Sequence, residues 1–138
     1  MKRYIFICSG NTCRSPMAEG IFKKLLAEKG MDAEVLSAGI STLDGMPPSE
    51  NAVKAAAKYG ADISSHRSRM LRSDMMKDGT VYLCMTRTHS AILKSAGIDD
   101  ESIRVLDVSD PYGGDEDVYE NCAEEIYEKL KAFAEEIE

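Results

Sequence analysis

Apolar positions fall along this chain in two alternating rhythms. Short continuous or near-continuous apolar runs are followed by stretches whose apolar residues recur every three or four positions. Tyr4-Ile5-Phe6-Ile7 contains no charged residue, the pattern of a strand buried on both faces of a parallel sheet. Ala33-Glu34-Val35-Leu36-Ser37 reads as a weaker second strand, Thr80 to Met85 as a third and Ile103-Arg104-Val105-Leu106 as a fourth. From Pro16 the period changes: Met17-Ala18, Ile21-Phe22 and Leu25-Leu26 lie four apart. Ser15 is the expected cap of this helix, Pro16 its first residue and Gly30 its end. Ser49 caps a second helix that runs to Tyr59 and stops at Gly60. A short helical segment is expected over 69–76, a further helix over 88–96, and a last one over 119–136. That last helix places Cys122, Ile126, Leu130, Phe133 and Ile137 on one face. Strands alternating with helices, without repeat or linker, imply one α/β domain over residues 1–138: a parallel sheet covered on both sides.

Composition narrows the class. At 138 residues the chain is long enough to bury a core, and 43% hydrophobic with 30% charged residues is neither a disordered nor a membrane composition. No apolar run approaches the roughly 20 residues that span a bilayer. The apolar run after Met1-Lys2-Arg3 is too short for a signal peptide and lacks a small-residue cleavage site, so a buried first strand explains it better. A net charge of −7 argues against a nucleic-acid surface, although a few local donors can still hold one phosphoryl group. Cysteines at 8, 13, 84 and 122 form no secreted disulfide framework, so a cytoplasmic protein with mostly reduced thiols is expected.

The chemistry concentrates in Cys8-Ser9-Gly10-Asn11-Thr12-Cys13-Arg14-Ser15, between the first strand and the first helix. In a strand–loop–helix unit the backbone N–H groups of the loop and the helix N-terminus converge on an anion. Gly10 is expected to supply backbone freedom in the turn. Arg14 offers a planar fork of donors to two phosphoryl oxygens, and the same positive field favours a thiolate at Cys8. A thiolate beneath a bound phosphoryl group is a nucleophile aimed at phosphorus, and Ser15 can hydrogen-bond the sulfur and ease its departure. Alternative loops fit poorly. There is no Gly-x-Gly-x-x-Gly, no Gly-Lys-Ser/Thr, and no pair of cysteines at zinc spacing with His66 or His89 beside it. Expelling the leaving group calls for a proton donor, and Asp110 in Ser109-Asp110-Pro111-Tyr112-Gly113-Gly114 follows the fourth strand, at the end where α/β folds place active sites.

With both motifs in view, the sequence resembles the low-molecular-weight protein phosphatases across Cys8 to Glu19, Ser37-Ala38-Gly39, the His66 region and Asp110 to Gly114. The resemblance implies a three-layer α/β/α fold with a four-stranded parallel sheet and no metal or cofactor. It also implies a phosphocysteine on Cys8, phosphoryl binding by Arg14 and the loop amides, and Asp110 as acid and then base. Asn11, Ser15, Ser37 and His66 would brace the loop. Cys13 would occupy a position able to form a reversible disulfide with Cys8. Phosphorylated proteins are the implied partners of a monomeric enzyme that engages neither nucleic acid nor membrane.

Within that family, Thr12 and the Tyr112-Gly113-Gly114 turn are similar to the bacterial protein-arginine phosphatases; tyrosine phosphatases usually carry an apolar residue at the position of Thr12. A hydroxyl there can hydrogen-bond a guanidinium, which an aliphatic side chain cannot. Leu43 is expected at the pocket mouth, and Arg67, Arg69 and Arg72 on a solvated helical face. The rivals are a tyrosine phosphatase, an arsenate reductase relaying through Cys84, and a phosphoprotein-binding module with a dead site. No second cysteine follows Cys84 in Met85 to Ala91, and Cys8, Arg14 and Asp110 are all retained.

Overall fold

The computed structural model describes residues 2–138. Four parallel strands, β1 (Lys2–Cys8), β2 (Ala33–Gly39), β3 (Thr80–Cys84) and β4 (Ile103–Val105), form one sheet in the order β2-β1-β3-β4. β1 lies between two neighbours, which is why its run is buried from Tyr4 through Cys8. Alternate residues divide between two cores. Tyr4, Phe6 and Cys8 pack with α1 (Arg14–Glu28) and α4 (Glu116–Glu136), beside α2 (Glu50–Ala57). Ile5, Ile7, Tyr82 and Cys84 face the opposite layer, where α3 (Arg87–Ser95) contributes Leu93.

The strand order reverses at β1 and β3, and the crevice beyond their C-terminal ends is the usual ligand position in such sheets. Cys8 ends β1 there, and α3 begins just past the end of β3.

Several boundaries differ from the sequence expectations. α1 starts at Arg14 with Cys13 as cap, so Ser15 and Pro16 lie inside its first turn. Proline is tolerated there because first-turn N–H groups lack intrahelical acceptors, and the Ser15 hydroxyl is thereby released for another partner. The helix does end at Gly30, where Gly30 N–H reaches Ala27 O and Met31 N–H reaches Leu26 O. α4 begins three residues earlier than its apolar face suggests. The Asp115 side chain caps the Val118 N–H, and Glu116 and Asp117 suit the positive end of the helix dipole. The helix expected over 69–76 shrinks to one 3₁₀ turn at Ser73–Met75. Arg69 and Leu71 instead pair with Gly39 in extended conformation beside the end of β2.

Candidate active site

The loop from Cys8 to Arg14 closes over the buried Cys8 sulfur, which has two donors aimed at it. The Asn11 N–H lies 3.2 Å from Sγ and the Ser15 hydroxyl oxygen 2.8 Å from it. The direction of the second bond follows from Asn11. Its Oδ1 accepts from the Arg69 N–H at 2.9 Å, so its amide nitrogen is the donor to Ser15 Oγ at 2.8 Å and Ser37 Oγ at 3.0 Å. With Ser15 Oγ already accepting, its own proton is free for the sulfur. Ser37 in turn donates to Glu19 Oε1 at 2.6 Å. The Asn11 carbonyl accepts from His66 Nε2 at 2.9 Å, so the polar groups of this fully buried residue are used throughout. Asn11, Ser15, Ser37 and His66 thus come together in one hydrogen-bonded cluster.

The conformational demand in the loop falls on Asn11 rather than Gly10. Asn11 has φ +56°, a left-handed conformation that asparagine adopts more readily than most residues. A Cβ on Gly10 would meet only Thr12 Oγ1, at an ordinary 3.6 Å. Close approach instead requires glycine at position 39, where a Cβ would come within 2.7 Å of Ser9 O and 2.9 Å of Thr42 Cγ2. That contact lets Ile40 N–H reach Cys8 O and Ser41 N–H reach Ser9 O, hanging one edge of the loop from the chain that leaves β2.

Arg14, also buried, crosses to the segment after β4, donating through Nη1 to Val108 O at 2.9 Å and placing Nη2 3.6 Å from Asp110 Oδ2. Asp110 Oδ1 accepts the Tyr112 N–H, and Gly114 N–H closes a turn onto Pro111 O, with Gly113 at φ +82°. Only a residue tolerant of positive φ fits that third position. Cys8, Gly10, Asn11, Thr12, Cys13, Arg14, Asp110 and Tyr112 line one cavity of about 130 Å³. Thr12 also borders a groove of about 470 Å³ with Ser41, Thr42, Leu43 and Met46. Leu43 and Tyr112 stand at the rim, 74% and 80% exposed. The nearest protein partner of the Thr12 hydroxyl is Cys13 Sγ, at 3.8 Å. Cys13 and Cys8 are both free thiols, and Cys13 Sγ lies 3.3 Å from Tyr119 Oη. Burial, reinforced by that sulfur, pushes the Tyr119 phenol up to about 12.

A family model described as low molecular weight phosphotyrosine protein phosphatase matches residues 3–138. The chain belongs to that family. Among its relatives, the protein-arginine-phosphatase of Bacillus subtilis is 33% identical, covering 96% of this chain and 95% of its own length. Arsenate reductase 1 of Staphylococcus epidermidis is 35% identical, covering 96% of each. A crystal structure of a low molecular weight protein tyrosine phosphatase from T. tengcongensis superposes with a TM-score of 0.93 at 38% identity, covering 99% of each chain. The four-stranded parallel sheet with helices on both faces is the fold of these phosphatases, and the chain is an enzyme of the protein phosphatase class. Identities this close together do not separate the substrates, so that question rests on individual side chains.

Cys84 is one of them. Its side chain lies in the core on the α3 side, whereas Cys8 belongs to the core on the α1 side, so the sheet separates the two sulfurs. Burial also pushes the Cys84 thiol up to about 12, far from a ready thiolate. The relay suggested by its position in sequence is therefore not built. Arg67, Arg69 and Arg72 occupy no helical face. They line a cleft of about 560 Å³ on the His66 side of the loop, with Lys23, Glu19 and Asp44 among its other walls.

Two contributors escape the sequence reading. Glu19 accepts from Ser37 at the end of the Asn11–Ser37 chain of hydrogen bonds; it closes the matched stretch Cys8 to Glu19 and lies four residues after Ser15, on the same face of α1. His89, in the first turn of α3, reaches Ser9 Oγ from 80 residues away at 3.0 Å. Burial lowers the pKa of His89, and the Arg14 charge lowers it further against the pull of Asp110. Burial likewise lowers His66, outweighing its bond to Asn11 and the charge of Glu19.

Both rings therefore fold as neutral groups. The unfolded chain takes up their protons near pH 6.5 and the folded chain only at lower pH, so this contribution to stability is complete above 6.5 and is lost as pH falls through the folded values. The thermal midpoint is expected to hold level above about pH 6.5 and to decline as the pH falls below it, with the decline flattened when both histidines are replaced by glutamine. Melting curves on both sides of that pH check this; a midpoint that rises on acidification contradicts it.

Proposed function

We propose that this protein hydrolyses phosphoarginine in proteins through a phosphocysteine on Cys8. The loop amides and Arg14 hold the phosphoryl oxygens. On binding, the Arg14 guanidinium exchanges Asp110 Oδ2 for phosphoryl oxygens, and the Asp110 carboxyl, now beside a dianion, takes up a proton. The Cys8 thiolate attacks phosphorus; the S–P bond forms as the N–P bond breaks, and the departing nitrogen receives the Asp110 proton. Water then attacks phosphorus and gives its proton to the Asp110 carboxylate. The S–P bond breaks, and the thiolate is received by the Ser15 O–H and the Asn11 N–H.

The observation that carries the arginine reading is the pairing of Thr12 and Asp110 on the walls of the same small cavity. A guanidinium brings several N–H donors and needs acceptors around the scissile bond. The Thr12 hydroxyl, without a close protein partner, and the half-exposed Asp110 carboxylate supply them. A phenyl ring has no N–H to offer the Thr12 hydroxyl, and Tyr112 is the single aromatic residue on the cavity wall. The arsenate-reductase alternative would need a second reactive thiol near Cys8, and Cys84 faces the other side of the sheet.

Thr12→Ile is the direct test. It removes the hydroxyl and leaves an apolar wall, and is expected to lower the ratio of kcat/KM for phosphoarginine over phosphotyrosine peptides by about tenfold. Paired initial-rate measurements on the two peptides read this ratio, and a ratio unchanged by the substitution removes Thr12 as the selecting residue.

A further inference from the structure

The nucleophile loop is held unequally on its two sides. On the β2 side, main-chain bonds from Ile40 to Cys8 O at 3.1 Å and from Ser41 to Ser9 O at 3.0 Å continue the sheet. On the β3 side, main-chain pairing reaches Ile7 O, which accepts Met85 N–H at 2.9 Å. Past that point the link from this side to Ser9 is a side-chain bond, Ser9 Oγ to His89 Nε2 at 3.0 Å.

The ring is fixed for this contact from behind. The Thr86 N–H donates to His89 Nδ1 at 3.2 Å, so Nδ1 carries no proton in the neutral ring and Nε2 does. His89 therefore donates to Ser9 Oγ. The Thr86 hydroxyl caps the His89 N–H in return, closing a reciprocal box that locks the ring to the start of α3. His89 is 3% exposed and Ser9 is exposed, so the bond is covered on the histidine side. None of the hydrogen bonds within the Asn11–Ser15–Ser37–Glu19 network involves Ser9 or His89.

We propose that His89 is a positioning residue for the phosphatase reaction, holding through the Ser9 hydroxyl the backbone that aims the Cys8 sulfur at phosphorus. This rests on the reading of Cys8 as nucleophile. An α3 residue far from the loop in sequence thereby sets the geometry of the attacking atom without touching the substrate. Small displacements of an attacking atom are expensive in rate, so loosening this anchor affects kcat more than substrate capture.

The test compares Ser9→Ala, His89→Ala, His89→Gln and the Ser9→Ala/His89→Ala double variant on p-nitrophenyl phosphate, with thermal midpoints recorded for each. Glutamine places an amide donor near the position of Nε2. Each alanine variant is expected to lower kcat about tenfold with KM within about twofold, the double variant no further than either single, and His89→Gln to recover most of the loss. Multiplicative losses in the double variant, wild-type kcat in Ser9→Ala, or failure of glutamine to rescue a folded protein overturns the proposal. If His89→Ala does not fold, Ser9→Ala decides alone, because it removes one hydroxyl from an exposed residue and no helix cap. Cys8→Ser in the same assay separates the two levels: turnover without the thiol defeats the nucleophile reading itself. An inactive Cys8→Ser beside fully active Ser9 and His89 variants defeats only this inference.

Discussion

Cys8→Ser is expected to lower kcat by about 10⁴-fold or more on every phosphorylated substrate, with the thermal midpoint nearly unchanged. The loop points the Asn11 N–H and the Ser15 O–H at the Cys8 sulfur, an arrangement suited to a resting anion. A serine hydroxyl holds its proton far more tightly than a thiol, and among the described residues no basic side chain hydrogen-bonds the Cys8 sulfur to remove it. The same donors would then face a neutral, weakly nucleophilic oxygen. The substitution shortens a buried side chain by very little, so packing against the α1 core survives. Turnover of p-nitrophenyl phosphate and a phosphoarginine peptide, read beside melting curves, checks this. Activity within about tenfold of wild type would mean that phosphoryl transfer does not pass through this sulfur.

Asp110→Asn is expected to separate substrates by leaving group. Asparagine keeps an oxygen for the Tyr112 N–H but has no acid proton to give. The nitrogen leaving phosphoarginine is far too basic to depart as an anion, so kcat on that peptide falls by about 10² to 10⁴. An activated aryl phosphate, whose phenolate leaves unaided, loses much less in the first step. Equal losses on both, or none on either, would show that Asp110 does not protonate the leaving group.

What could be read from the sequence follows from how local each feature is. Cys8, Arg14 and the start of α1 lie within one short stretch, and a strand before and a helix after it suffice to identify an anion loop. Asp110 was legible because Pro111 and the glycines that follow announce a turn just past a strand. Of the two tasks expected of Ser15, helix cap and donor to the sulfur, the structure keeps the second. Its type also suits a helix cap, and only the path of the loop shows that Cys13 takes that position. Gly10 was expected to supply the backbone freedom of the turn, but the left-handed residue is Asn11, held there by hydrogen bonds from Arg69 and His66. Those contacts, like that between His89 and Ser9, span more than fifty residues and depend on how β1, β2 and β3 lie side by side. Cys84 misled in the opposite sense: it ends a strand next to β1, but a strand shows alternate residues to opposite faces, and the face of Cys84 is the wrong one.

Substrate choice is the central claim and has a direct measurement. Two peptides of one sequence, one carrying phosphoarginine and the other phosphotyrosine at the same place, are turned over by the wild-type protein and kcat/KM is compared. A cavity walled by Thr12 and Asp110 predicts a preference for phosphoarginine of at least about tenfold. Equal or faster turnover of the phosphotyrosine peptide would contradict it.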